Sequence, residues 1–276
     1  MTRTLPALSI SPLTPHLYEP TAARPVRAKL HRLSTDTRVV PHDHPWGQLA
    51  LSATGVVRLT VEHGTYLVPP SRALWVPPGV QHAVSVVEDA DTVTLYLRRQ
   101  PGHRGSPAEQ ALWRQCRVLE VSDLLRALVM AMDTRPDGGV PLAAEAVRRE
   151  RRLSALVIDE LRRARPVRLG VDLPADKRLR ALCEAVLDDP TRHATLDGWA
   201  RDAGASARTV ARLFRQDLGT TFVQWRQQVL LAKALSLAAR RLPMSAIAAE
   251  LGYASPSAFS AMVRRSVGAP PSRFFA

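Results

Sequence analysis

The C-terminal third of the chain carries the same pattern twice, about forty-eight residues apart, and few folds accommodate such a pair. In the first copy Ala200 and Gly204 stand four apart, and a helical stretch begins at Ser206. In the second, Ala248 and Gly252 have the same spacing and Ser255 opens the stretch. A small residue lets two helices approach closely, and glycine permits the left-handed turn between them. Each copy therefore reads as a helix-turn-helix unit, and each second helix is followed by a glycine, Gly219 or Gly268.

The hydroxyls of Ser206 and Ser255 can accept from unpaired backbone N–H groups, and Pro256 suits a first helical position. Around the helical wheel Val210, Leu213 and Phe214 share one face of the first reading helix, and Phe259, Met262 and Val263 one face of the second. Those faces are assigned to the core. Outward lie Ser206, Ala207, Arg208, Ala211, Arg212 and Arg215 in one unit, and Ser255, Ser257, Ser260, Ala261 and Arg264 in the other. Small residues admit close approach to a base edge, while arginine binds guanine in bidentate fashion or pairs with phosphate. Between the units, Thr221 with Gln224 forms a capping box for a helix over 223–239, a rod of about 25 Å. Such a rod can hold two reading helices in successive major-groove segments of one duplex.

Residues 174–276 resemble the DNA-binding domain of the AraC/XylS family of bacterial transcription regulators. The matching stretches are Thr195-Leu-Asp-x-x-Ala200, Ser206-x-Arg-Thr-Val-x-Arg-Leu-Phe214, Ile247-Ala248-x3-Gly252-Tyr253, Ser257-x-Phe259-Ser260 and Gly268-Ala-Pro270-Pro-Ser-Arg273-Phe274. Ala261-Met262-Val263 departs from the more usual basic and aromatic sequence of the second reading helix. The resemblance implies sequence-specific binding to double-stranded promoter DNA.

At 276 residues with 46% hydrophobic content, the chain has material for more than one core. No apolar run has the length of a membrane span, and the proline-broken start does not read as a secretory signal, so a cytoplasmic protein with no membrane partner is expected, nucleoid-associated through DNA. Cys116 and Cys183 are placed on helical stretches without partner spacing, which argues against a disulfide framework or thiolate zinc. The formal charge of +13 favours a polyanionic partner. Fifteen basic against eight acidic residues from Pro174 onward give +7 there.

From 26 to about 100 the chain changes to short β-rich runs at 27–32, 48–54, 56–61, 65–68, 73–76, 83–87 and 92–97, separated by prolines and glycines. This predicts an antiparallel sandwich or barrel. Within it, His42 and His44 lie at i and i+2, Gln48 follows four residues later and Gly55 seven beyond, and Pro77, Gly79 and His82 form a second group. Two strand histidines at that spacing share a face, and a third from another hairpin completes a facial set for a divalent cation.

The arrangement resembles the cupin motifs, with Gln48 where the first motif has glutamate, Ser71 and Val86 at the ends of the second, and Asp36 in place of a glycine. Without the glutamate, any metal is held by neutral groups. Three uses stay open: a metal on His42, His44 and His82 with Gln48 as fourth or hydrogen-bonding group, an effector pocket without metal, and core histidines satisfied internally. No cofactor is required by these residues. Trp46 and Trp75 flank the motifs, either as walls of the pocket or as core.

Two amphipathic helices are predicted over 118–132 (Val118, Val121, Leu125, Leu128, Met132) and 142–161 (Leu142, Ala146, Leu153, Leu156, Val157, Leu161). They form a hairpin for packing on the sheet or for a homodimer interface. The basic run 148–152 reads as a solvated face. The fold class expected is α+β: a cupin-like β-barrel (jelly roll), then an all-α domain with two helix-turn-helix units joined by a linker helix. Its parts are an arm (1–25), a sensing domain (26–100), a helical dimerisation segment (101–164), a linker (165–173) and the DNA-binding domain (174–276).

The function expected is effector-responsive transcription regulation, with a small molecule or metal as effector and RNA polymerase as a further partner. The barrel motifs most resemble the NimR-like subgroup, which implies control of a neighbouring transporter gene. The rivals are a metal-dependent cupin enzyme fused to a DNA-binding domain, and an architectural DNA-binding protein whose barrel only dimerises.

Overall fold

In the computed structural model, residues 8–35, 37–70, 72–102, 104–167 and 170–275 are described. Asp36, Ser71, residues 1–7 of the arm and residues 168–169 of the linker lie outside them. Contacts divide the chain into two units, Met1–Val61 with Val68–Arg168, and Glu62–Leu67 with Leu169–Ala276. Among the described residues, no helix is long and apolar enough to cross a membrane.

The first unit contains β1 (Leu8–Ile10), a 3-10 turn at Pro15–Tyr18, β2 (Val26–Leu33), β3 (Thr37–His42) and β4 (Gly47–Val61). β5 (Gly64–Val68) falls in the second unit up to Leu67, and the first resumes with β6 (Arg72–Val76), β7 (His82–Leu97), α1 (Pro107–Leu112), β8 (Arg117–Glu120), α2 (Asp123–Met130), α3 (Ala144–Arg163) and β9 (Pro166–Val167). The long β7 organises the sheet. One of its edges pairs with β4 from Gly47↔Leu97 to Val61↔His82. The other takes β2 along Val26↔Leu97 to Leu33↔Ala90, and β3 with Val39↔Val84 and His42↔His82. The parallel β1 joins β3, while β6, β8 and β9 extend the sheet beyond β4.

Alternation along these strands sorts two faces. Val26, Ala28, Leu49, Leu51, Ala73, Trp75, Val93, Leu95 and Leu97 meet Leu125, Leu128, Val129, Val157 and Leu161 of α2 and α3 in one core. Burying each valine or leucine among them stabilises the fold by about 1.5–3 kcal/mol. The opposite face carries Arg27, Lys29, His31, Gln48, Thr94 and Tyr96, one residue out of phase.

Several expectations change. The runs at 48–54 and 56–61 are one strand, β4, and those at 83–87 and 92–97 are one strand, β7. Gly55 is not a break but a bulge: its φ is +66°, the register shifts around it, and a Cβ there would collide with the Asp89 carbonyl. The helix over 118–132 is instead β8 followed by α2. Helical spacing loses to cross-strand pairing of Val118 with Leu74, and Ser122 Oγ accepts from Leu125 N at 3.0 Å to start the helix there. In α3 the buried stripe is Glu150, Ser154, Val157 and Leu161, whereas Leu156 is half exposed. Cys116 lies in the turn before β8 rather than on a helix. The described part of the arm adds a strand and the buried Tyr18 to this unit.

The second unit begins with β10 (Gly170–Asp172), paired with β5, and continues with α4 (Lys177–Asp188), α5 (Leu196–Asp202) and α6 (Ala207–Leu218). Then follow α7 (Phe222–Ala239), α8 (Met244–Glu250), α9 (Pro256–Val267) and α10 (Pro271–Phe274). Thr221 and Gln224 form the capping box of α7. Val171 and Leu173 are buried in the core around Trp199, Phe214 and Trp225, and Trp225 Nε1 donates to the Asp172 carbonyl at 2.7 Å. Within 165–173, the described residues 166–167 and 170–172 are in strands and Val171 and Leu173 are buried.

Candidate nucleic-acid interface and histidine cluster

Helices α5 and α6 form the first helix-turn-helix unit, and α8 and α9 the second. Both turns use glycine in the left-handed region, Gly204 at φ +63° and Gly252 at φ +75°. Ser206 Oγ accepts from Thr209 N at 3.1 Å and Ser255 Oγ from Ala258 N at 3.2 Å, fixing where each second helix starts. Val210 and Phe214 are buried with Leu213 packed beside them, and Phe259, Met262 and Val263 are buried in the other unit. Anchoring one face leaves the other free. Ser206, Arg208, Arg212, Arg215, Ser257 and Arg264 are exposed, and Ala207, Ala211, Ser255, Ser260 and Ala261 are half-buried beside them.

Arg212 donates to Gln216 Oε1 at 2.6 Å along α6, whereas Arg208 makes no hydrogen bond or ion pair among the described residues. Arg208, Arg212 and Arg215 give α6 a cationic face, while α9 offers Arg264 among small hydroxyl and methyl groups. Such a pair can position phosphates and touch base edges. By contrast, Arg148 of the basic run on α3 is paired with Glu145 of its own helix.

In the first unit the register His42↔His82 and the turn after β3 bring three imidazoles together. One ligand atom from each of His42, His44 and His82 lies within 4.8 Å of the others. The ring centroids of His42 and His82 are 4.4 Å apart, and those of His44 and His82 5.3 Å. Each ring donates Nδ1–H to a backbone carbonyl: His42 to Val40 at 2.9 Å, His44 to Trp46 at 2.8 Å and His82 to Val80 at 2.9 Å. A carbonyl cannot donate, so these bonds fix the tautomer and leave Nε2 as the lone-pair nitrogen. Burial lowers the His42 pKa and holds His82 down at about 4, keeping both rings neutral.

His82 Nε2 is buried without a partner. Neutral imidazoles held through Nδ1 with an orphaned Nε2 fit a borderline transition cation such as Zn2+ or Ni2+. Gln48 fits less well as a ligand. Its side-chain amide lies 2.9 Å from His44 Nε2, and a neutral ring that donates through Nδ1 accepts there, so the amide nitrogen faces the ring. Gln48 thereby holds the lone pair that a cation would take.

Beside the cluster is a cavity with ≈ 520 Å3 of atom-free space, part of it open to solvent. Leu33, Val39, Val57, Leu59 and Val84 give apolar walls, and His31, His42, Gln48, Thr94 and Tyr96 polar ones. Neither tryptophan lines it. Trp46 stacks on His44 with 5.4 Å between ring centroids. Trp75, in register with Leu49, points to the helix-covered face, where its Nε1 donates to the Trp113 carbonyl at 2.9 Å. That corrects the expectation of Trp75 as a pocket wall: one position along a strand is the whole difference between the faces.

Arg27, Lys29, His31 and Tyr96 lie outside the motifs that the sequence displays. A signal existed, since basic residues at i, i+2 and i+4 of β2 must share a face. Only the structure shows that face covered. Arg27 and Lys29 are each 1% exposed. Arg27 binds both Asp137 oxygens, at 2.7 and 2.8 Å, and the Arg135 carbonyl at 3.0 Å. Lys29 Nζ has no hydrogen-bond partner and sits 5.0 Å from the centre of the Tyr18 ring. Burial lowers its pKa to about 8 and holds His31 at about 4.

Two family models match the chain, an AraC-like ligand binding domain over residues 25–150 and a helix-turn-helix domain over 199–276. The chain is 30% identical to the HTH-type transcriptional regulator NimR of Escherichia coli, covering 88% of its own length and 84% of that protein's. It is 34% identical to the HTH-type transcriptional regulator RipA of Corynebacterium glutamicum over 37% of its length and 31% of that protein's. A crystal structure of ToxT from Vibrio cholerae aligns over 91% of this chain and 97% of that one, at 11% identity and a TM-score of 0.36.

Proposed function

The chain belongs to the AraC/XylS family of transcription regulators, with a NimR-like relationship, and from that premise we propose that α6 and α9 read two adjacent short sites in promoter DNA under control of the histidine-flanked cavity. The observation that carries this is the duplicated unit: two serine-capped helices, each anchored by a buried apolar face and each turning arginine and small residues outward. In this reading Ser206, Ala207, Arg208, Ala211, Arg212 and Arg215 serve one half-site, and Ser255, Ser257, Ser260, Ala261 and Arg264 the other. The +13 charge supplies the attraction that does not depend on sequence.

The N-terminal unit is the sensor, with residues 26–100 forming the effector domain under an arm of 1–25. Segment 101–164 joins two copies in a homodimer, and 165–173 connects to the DNA-binding part at 174–276. The effector is a small molecule, or a divalent metal held by His42, His44 and His82 with Gln48 beside them. Ligand binding changes the placement of two DNA-binding domains and, through RNA polymerase, the transcription of a neighbouring transporter gene in the cytoplasm. The protein acts by binding rather than by catalysis. Among the described residues, no carboxylate lines the cavity to move a proton.

The test is a footprint on the intergenic DNA upstream of its own gene, with non-specific competitor. One-sided protection of two adjacent major-groove segments is expected. Protection no better than on random DNA at any candidate promoter sinks the reading.

A further inference from the structure

We propose that the groove along α7 is a clamp for the sugar–phosphate backbone between the two half-sites, with Arg226 and Gln227 as its phosphate-binding residues. This rests on the reading of α6 and α9 as a pair on one duplex. The groove lies within the second unit and holds ≈ 910 Å3 of atom-free space, part of it open to solvent. Thr195, at the start of α5, forms one end, Val223, Arg226, Gln227 and Leu230 come from α7, and Tyr253 stands in the turn before α9.

These walls are the parts of the domain that a bound duplex passes. In a helix-turn-helix unit the first helix crosses the phosphate backbone, and the second enters the major groove by its N-terminal end. The start of α5 and the turn two residues ahead of Ser255 are therefore continuous with the two reading faces, and α7 spans the gap between them.

The chemistry of the groove matches a nucleic-acid backbone. Among the described residues no carboxylate lines it. Arg226 is half-buried there without an acidic partner among the described residues, and its Nε and Nη2 both donate to the Pro190 carbonyl, at 2.9 and 2.7 Å. Held by that edge, the guanidinium keeps its Nη1–Nη2 edge for two phosphate oxygens. Thr195 stands at the N-cap of α5, yet its hydroxyl makes no capping bond. The Tyr253 hydroxyl lies close enough to Arg226 for each to act on the charge of the other. Beside these donors Val223 is apolar and 62% exposed, a surface suited to a deoxyribose. Such contacts carry no sequence information, so the clamp fixes the spacing of the half-sites rather than their bases.

The experiment uses the footprinted duplex with a single methylphosphonate, an uncharged linkage, placed at each phosphate between the two protected segments in turn. The same linkage outside them is the control. Affinity is read by fluorescence anisotropy for the parent, Gln227→Glu and Arg226→Gln, with a melting curve for each. The parent is expected to bind the duplex neutral at one central linkage about tenfold less tightly than the unmodified one. Gln227→Glu sets a carboxylate against that phosphate, so it loses about tenfold on the unmodified duplex and binds the duplex neutral at that linkage as well as the parent does. Arg226→Gln is expected to bind the two duplexes equally. If it melts well below the parent for want of its bond to Pro190, Gln227→Glu, matched to glutamine in shape, decides.

Unchanged affinity of Gln227→Glu for the unmodified duplex overturns the clamp while leaving α6 and α9 as readers. So does a loss in Gln227→Glu that no central methylphosphonate relieves, or a parent indifferent to every central linkage. Parent binding without sequence preference overturns the reading of two half-sites and the clamp with it.

Discussion

Replacing Arg208 with alanine separates reading DNA from holding the fold. The side chain is exposed on α6 and makes no hydrogen bond or ion pair among the described residues, while the anchors of the helix, Val210 and Phe214, point the other way. Arginine and alanine are both good helix formers, so stability is expected to change by no more than about 0.5 kcal/mol. Removing one charge from +13 barely alters the general attraction to DNA. A bidentate base contact is worth about 1–3 kcal/mol, or about five- to 150-fold in affinity. Fluorescence anisotropy on the footprinted site, on single-base variants of it and over a salt series gives the readout.

A base contact predicts a loss that disappears on duplexes already altered at one position. A phosphate contact predicts a uniform loss with a salt slope smaller by about 0.9. Arg151→Ala, on the exposed face of α3, makes the same change in net charge and is expected to leave affinity as it was. If Arg208→Ala binds every duplex as tightly as the parent, α6 does not enter the groove by this face.

Gly219→Ala and Gly268→Ala place a Cβ at φ +61° and +70°, where open space surrounds it, so the cost is backbone strain alone, about 1 kcal/mol each by urea unfolding. A cost near zero contradicts the left-handed caps. Acid should weaken the first unit. His31 and His82 are held at about 4 by burial, against 6.5 for the free side chain. Above pH 6.5 neither state is protonated there. Between 6.5 and 4 the unfolded chain gains protons that the folded chain refuses, so stability falls across that window by up to about 3 kcal/mol per group. Constant unfolding free energy from about pH 7 to about pH 4.5 refutes that burial. Titration with Zn2+ or Ni2+ is expected to show about one equivalent bound by the parent and far weaker binding by His82→Ala. Identical isotherms remove the histidine cluster as a metal site.

The second unit was legible because its signals are local. A serine cap, a glycine turn and an apolar stripe depend on residues within one or two helical turns, and the sequence states them directly for α6, α7 and α9. The histidine group at 42, 44 and 82 was legible as a pattern as well. What the pattern lacked was the role of Gln48, which depends on which nitrogen of His44 donates to the Trp46 carbonyl.

The sequence alone determined the two helix-turn-helix units, the outward residues of their second helices and the presence of a β-rich half with clustered histidines. Tertiary structure decided which side of each strand is covered. Pairing of Val118 with Leu74 turned helical spacing into a strand, the bulge at Gly55 joined two runs into β4, and the register Leu49↔Trp75 sent a tryptophan away from the cavity. It also buried Lys29 without a partner. The physical reason is common to all four: side chains on a strand alternate with period two, and whether a face meets helices, solvent or a cavity depends on residues far away in the chain.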